Sequence, residues 1–217
     1  MISITPTILA ANQSDFAQFM EVYKPFASRI QIDICDGMFA PNRTLDIAQI
    51  TIPEDYKGKI DLHMMVKRPS NYLQQIIAMK PNLVIFHAEC DENLLPVFQQ
   101  LEESGINTGV AILKTTYPGD IRQYIEVADH ALIFAGTLGR QGGNADLLQL
   151  EKVGIIKSID SKIEIGWDGG ANMDNVRTIA HSGIDVINIG SAISQSKNAK
   201  EAYDALEAEA DKQGVHI

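Results

Sequence analysis

The sequence predicts a (β/α)8 barrel, one domain filling residues 1–217, on three observations. Extended, β-branched segments alternate with helical ones from end to end. Polar side chains recur on one face near the C-terminal ends of several strands, and glycine-bearing turns follow the last three strands. The strands fall at residues 2–8, 29–35, 59–65, 83–89, 107–113, 130–136, 162–168 and 186–190. Helices are expected to begin near Ser14, Leu45, Pro69, Glu92, Pro118, Asp146 and Asn172, with a last one over 198–213. Pro69 suits a first helical turn, and Asn172 with Asp174 offers an N-cap followed by an early acid. A doubly wound open sheet uses the same alternation. Leu9-Ala10-Ala11-Asn12-Gln13 stands where such a sheet would carry Gly-x-Gly-x-x-Gly, which argues against a dinucleotide-binding first unit.

Alternation along a strand sends successive side chains to opposite faces. Gln31, Asp33 and Cys35 therefore share one face, opposite Ile30, Ile32 and Ile34, and His63 shares a face with Asp61 and Met65. Asp168 ends the seventh strand, with Trp167 turned away to pack against a helix. In a closed parallel barrel the strand ends surround the chemistry.

The chain has 217 residues, 45% hydrophobic and 21% charged, enough to bury a full core. A formal net charge of -10 disfavours a sequence-independent grip on nucleic acid. No apolar run approaches the roughly 20 residues of a membrane helix, and the opening Met-Ile-Ser-Ile-Thr-Pro-Thr lacks the pattern of a secretion signal. A cytoplasmic protein with no membrane partner is the expectation. Cys35 and Cys90 read as small buried thiols and give no disulfide framework.

Gly139-Arg140-Gln141-Gly142-Gly143, Gly169-Gly170 and Gly190-Ser191 follow strands six, seven and eight. Glycine lets backbone N–H groups approach an anion, and a short helix opening at Ser191 would add its positive end. Barrels commonly hold phosphate in the loops after strands seven and eight.

Five segments carry a family resemblance. Thr5-Pro6-Thr7-Ile8-Leu9-Ala10-Ala11, Ile32-Asp33-Ile34-Cys35-Asp36-Gly37-Met38-Phe39-Ala40-Pro41-Asn42, Leu62-His63-Met64-Met65-Val66, Gln141-Gly142-Gly143 and Trp167-Asp168-Gly169-Gly170 resemble the signatures of ribulose-phosphate 3-epimerases. The resemblance implies a TIM barrel of the pentose phosphate pathway that interconverts D-ribulose 5-phosphate and D-xylulose 5-phosphate, often as a homo-oligomer. It further implies one divalent metal (Zn, Fe, Mn or Mg) held by two histidines and two aspartates.

Matched position by position, Asp33 and Asp168 correspond to the metal-ligating acid/base pair and His63 to one histidine ligand. Gln31 occupies the place of the other histidine, so it is a weak ligand or a lost one. Thr7 keeps the hydroxyl of a substrate-contacting serine. Met65 keeps one of three wall methionines, with Cys35 and Ala135 in place of the others. Gly139 and Arg140 replace a Pro-Gly pair, and Leu113-Lys114 an Asn-Pro pair. Substrate contacts are expected from Thr7, Met65, Arg140, Gly142, Gly143, Gly169, Gly170, Gly190 and Ser191.

Inverting a carbon beside a ketone removes a proton from one face and returns one to the other, which two flanking carboxylates can do. A cation would neutralise the enediolate oxygen as a Lewis acid. An amide oxygen at Gln31 binds zinc more weakly than an imidazole. Its N–H group offers the enediolate a donor instead, a metal-free variant of the same chemistry. Three readings compete with the pentose epimerase. They are a ketohexose-6-phosphate epimerase acting on allulose 6-phosphate, a degenerate barrel that binds phosphosugar without turning it over, and an aldolase or decarboxylase using Lys114. His87 and Glu89 are expected to orient His63 or a water, and Asp36 to serve a turn. His130, His181 and His216 read as incidental.

Overall fold

A computed structural model describes residues 2–212 and shows eight parallel strands closed into a barrel in chain order. The strands are β1 (Ser3–Ile8), β2 (Ile30–Cys35), β3 (Ile60–Met65), β4 (Leu83–His87), β5 (Asn107–Ile112), β6 (His130–Phe134), β7 (Glu164–Asp168) and β8 (Val186–Ile189). Each lies within the segment read from the sequence. Pairing of β1 with β8 closes the ring, so no sheet edge is left open.

Alternation divides the strand residues between two cores. Outward side chains such as Ile32, Leu62, Phe86, Ile133, Trp167 and Ile187 join the helices in one large buried cluster. Inside the barrel a smaller apolar plug of Leu83, Ile85, Ala111 and Leu132 fills the middle. Trp167 is fully buried among the outer residues, as its parity predicts, and its Nε1–H donates to the Gly169 carbonyl at 3.1 Å.

The helices are α1 (Gln13–Tyr23), α2 (Leu73–Met79), α3 (Leu95–Glu103), α4 (Arg122–Ile125), α5 (Lys152–Ile159), α6 (Val176–Ala180), α7 (Ser191–Ser194) and α8 (Ala199–Ala210). Asn12 and Asn198 cap α1 and α8 by accepting from N–H groups of the first turn. The segments starting at Pro69, Pro118 and near Asp146 open as tighter 3-10 turns before α2, α4 and α5.

The helix expected near Leu45 is not formed. Two short 3-10 turns, Ile47–Gln49 and Glu54–Tyr56, stand in its place. The run Ile50-Thr51-Ile52-Pro53 explains this, since β-branched residues disfavour helix and proline has no N–H for it. Ile47, Ile50 and Ile52 still bury their side chains in the helix-facing core, so the segment packs without a helix. No helix of the described residues is long and apolar enough to cross a membrane. His216 and the predicted end of the last helix at Gln213 lie outside the described residues.

Candidate active site

Three strand ends deliver one polar cluster. Asp33 pairs in register with His63 across β2 and β3, and Asp168 ends β7, three strands away from β2 through the β1–β8 closure. One ligand atom each from Asp33, His63 and Asp168 lies within 4.8 Å of the others. His63 Nδ1 stands 3.1 Å from Asp33 Oδ1 and 3.3 Å from Asp168 Oδ2. Gln31 Nε2 donates to the same two oxygens, at 2.9 Å to Asp33 and 2.7 Å to Asp168. Its Oε1 is buried with no hydrogen-bond partner.

The cluster is dry. Gln31, His63 and His87 are fully buried and Asp33 nearly so. Burial, ahead of the opposing hydrogen bond from His63, pushes Asp33 up to about 6. For His63 burial disfavours the charged ring, but Asp168 and Asp33 outweigh it and raise the group to about 9. His87 is driven down to about 4 by burial. The two Nε2 atoms face each other at 2.9 Å, so the neutral His87 accepts and His63 donates.

His87 therefore contacts His63, as its inward parity suggests. Its Nδ1 stands 3.5 Å from Glu89 Oε2, beyond a good hydrogen bond. Glu89 turns to the next loop, where Oε1 accepts from the Leu113 N–H at 2.9 Å and from the Thr116 hydroxyl.

Asp33 and Asp168 present this cluster to a cleft, open to solvent, at the C-terminal mouth of the barrel. Thr7, Asp33, Met65, Arg140, Gly142, Asp168, Gly169, Gly170, Gly190 and Ser191 all line it. Gly143 and Lys114 are exposed and stand outside that lining. Beside Lys114, Lys152 Nζ donates to the Leu113 and Lys114 carbonyls.

The bare glycines are demanded by space. A Cβ on Gly169, at φ +119°, would fall 2.1 Å from the Gly136 nitrogen, and one on Gly170, at φ +71°, 2.2 Å from the Ala145 nitrogen.

Two wall expectations need correction. Ala135 points outward into the helix-facing core, because it lies one residue beyond the inward Phe134. Phe134 itself lines the cleft, with its ring 5.6 Å from both His63 and His87. Cys35 lies beneath the wall, 3.9 Å from the Met65 sulfur. Both cysteines are free, with Cys35 buried as expected and Cys90 only partly so.

Asp36 fastens loops, as its turn predicts. Its Oδ1 accepts from the Met38 and Phe39 N–H groups and its Oδ2 from Lys67 N–H. His130 is not incidental, because it joins an ion-pair network at the far end of the barrel, 2.7 Å from Glu164 Oε2. His181 faces the Lys212 carbonyl at 2.9 Å, away from the cleft.

Sequence reading passed over Phe134, Gln141 and Asn188. Parity with Leu132 and with Gly190 would have found the first and last. Gln141 sits in a loop without strand parity, and its signal was its place in the Gln141-Gly142-Gly143 segment. Its Nε2 donates to the Thr7 hydroxyl at 3.0 Å and the Thr7 carbonyl at 3.2 Å, closing the gap between the ends of β1 and β8.

The profile of the Ribulose-phosphate 3 epimerase family matches residues 3–194. A ribulose-phosphate 3-epimerase of Helicobacter pylori (strain J99) is 26% identical over 211 residues, covering 95% of this chain and 97% of the relative. One from Bacillus subtilis is 27% identical over 218 residues, covering 95% and 98%. Among solved structures, a 3-hexulose-6-phosphate synthase from Salmonella typhimurium superposes with a TM-score of 0.70 at 15% identity, over 96% of this chain and 98% of that one. A phosphoribosyl anthranilate isomerase from Thermococcus kodakaraensis gives 0.65 at 13%, covering 98% and 100%. At such identities these structures speak for the barrel alone, whereas the family profile spans nearly every strand and loop of the cleft: the chain belongs to the ribulose-phosphate 3-epimerase family.

Proposed function

We propose that this protein is a carbohydrate-phosphate epimerase that inverts C3 of a ketose phosphate, interconverting D-ribulose 5-phosphate and D-xylulose 5-phosphate, with Asp33 and Asp168 as its acid/base pair. One observation carries the reading. Two carboxylates from strands on different sides of the barrel converge on the floor of a single cleft.

Each carboxylate has one oxygen engaged by Gln31 and His63, which leaves the other oxygen for the substrate. Asp33, pushed up to about 6, is a stronger base than an ordinary aspartate and better matched to proton transfer near neutral pH. In one direction one carboxylate removes the C3 proton, giving an enediolate, and the other returns a proton to the opposite face. The reverse reaction exchanges the roles.

Thr7 offers its hydroxyl proton to the sugar while accepting from Gln141. Met65 and Phe134 wall the reacting carbon with apolar surface. The phosphate lies toward Gly142, Gly169, Gly170, Gly190 and Ser191, where no side chain shields the backbone, with Arg140 at the mouth.

The donor set also fits a divalent metal. Asp33, His63 and Asp168 would hold it, and Gln31, whose N–H group now faces both carboxylates, would add its unpartnered oxygen, a neutral donor suited to a hard ion, only with the amide turned over. When bound, such an ion supplies Lewis-acid charge for the enediolate oxygen.

The test incubates purified protein with ribulose 5-phosphate in deuterium oxide, with and without added Zn(II), Mn(II) or Mg(II). Deuterium entering C3 together with xylulose 5-phosphate supports the reading. Saturable binding with no exchange in any preparation removes it and leaves a phosphosugar-binding barrel.

A further inference from the structure

We propose that Gln31 is a positioning residue that ties Asp33 to Asp168 in place of a cation, so that the site stays assembled and proton exchange at C3 continues in protein stripped of divalent metal. The proposal rests on the reading of those two aspartates as acid and base.

The geometry points to a tie. A carboxamide nitrogen carries two hydrogens, and Gln31 Nε2 has two carboxylate acceptors, at 2.9 Å and 2.7 Å. Hydrogen bonds to ionised oxygens are the strong kind. A ring nitrogen of histidine has at most one hydrogen to divide between two acceptors, so an imidazole in this place could not make the same clamp.

Gln31 is also held where it is. It is fully buried, and its backbone pairs in register with Thr7 on one side and Asp61 on the other. The clamp takes Asp33 Oδ1 and Asp168 Oδ2, the same oxygens that face His63 Nδ1. The remaining oxygen of each carboxylate keeps its freedom to act on substrate.

The clamp and a metal compete. A cation shared by the two engaged oxygens meets the amide hydrogens. Its entry requires the amide to turn over and present Oε1, the oxygen that now has no partner. That rotation gives up both charge-assisted hydrogen bonds, so metal binds this chain weakly and the chain does not depend on it.

The experiment has two arms. In the first, chelator-treated wild type, Gln31→His and Gln31→Met are assayed for deuterium entry at C3, alone and with Zn(II) or Mn(II), and metal affinity is measured by titration calorimetry. Wild type is expected to keep its rate within about 3-fold of the metal-supplemented value. Gln31→His should bind metal at least about 10-fold more tightly and lose about 10- to 100-fold in rate on chelation. Gln31→Met, of similar size but without donors, should lose metal-free exchange. A general packing defect would not move the metal dependence in this way.

In the second arm the Gln31 side-chain amide protons are followed by 15N-1H NMR in chelated wild type, assigned by their loss in Gln31→Met. They are expected to resist exchange with deuterium oxide and to shift on adding Zn(II). Exchange as fast as that of surface amides overturns the proposal, as does wild-type activity that vanishes on chelation and returns with metal. If no preparation moves deuterium, metal-loaded Gln31→His included, the acid/base assignment fails. The amide protection then still decides whether the tie exists.

Discussion

The two ends of the barrel solve one electrostatic problem in opposite ways. Each gathers a pair of carboxylates around a buried histidine, and two strands serve both ends: β3 supplies Asp61 below and His63 above, and β7 supplies Glu164 below and Asp168 above. Below, a permanent cation closes the account. Arg29 grips Glu164 with two hydrogen bonds of 3.0 Å and pairs with Asp61, while Asn82 donates to Asp61 at 2.9 Å and His130 meets Glu164. Above, no arginine or lysine reaches the pair among the described residues. A neutral amide and an imidazole hold it, and Gln31 Oε1, Asn188 Oδ1 and His87 Nδ1 stay buried without partners. In the lower network both carboxylates are engaged by Arg29, with His130 Nε2 left buried without a partner, and the network reads as a structural plug. The upper one is left with polar groups unpartnered and carboxylate oxygens open to a cleft, which suits a site whose remaining partner arrives with substrate.

Neutralising one carboxylate above should have the largest effect. Asp33→Asn and Asp168→Asn are each expected to lower kcat for epimerisation by about 10²- to 10⁴-fold, the range of a lost general acid or base, while thermal melting changes little. A variant melting far below wild type would mean that the upper pair is structural after all.

Cutting the lower network should do the reverse. Arg29→Met leaves Asp61 buried without its cation. Burial already pushes that carboxyl upward even beside Arg29. A loss of about 3–5 kcal/mol in unfolding free energy is expected, measured by urea denaturation, with kcat per folded molecule preserved. Loss of kcat without loss of stability would show the two ends to be coupled.

A smaller change is expected at the cleft wall. Thr7→Val removes the hydroxyl that Gln141 holds and should lower kcat/KM by about 10-fold, corresponding to one hydrogen bond of roughly 1.5 kcal/mol.

The smallest signal is a pH signature below. Burial acts to raise the Glu164 carboxyl, but His130 and Arg29 outweigh it and hold it at about 2, below the unfolded value near 4.3. A depressed carboxyl stabilises the fold above the unfolded value, and that stabilisation fades as pH falls toward the folded one. The stability gap between wild type and Glu164→Gln should thus be full at pH 7 and close between about pH 4 and pH 2. A gap independent of pH would mean that the ion pairs contribute nothing.

Sequence by itself determined the barrel, because its information is local. Strand alternation placed Gln31, Asp33, His63 and Asp168 inward and Trp167 outward, and the Gly169-Gly170 turn, where a Cβ would strike backbone, marked part of the cleft lining. The missing helix after β2 was legible too, in Ile50-Thr51-Ile52-Pro53, had β-branching been weighed against the expected alternation. What sequence did not yield was pairing across the ring. Nothing in the spacing of Asp61 and His63, two residues apart, says that one closes the base while the other serves the cleft. Nor does anything local say that Gln31, read as a weakened metal ligand, would turn its N–H group to both aspartates at once. Those choices were made by the closure of β1 on β8, which brings β2 and β7 within reach of each other and lets residues 137 apart in the chain share a hydrogen bond.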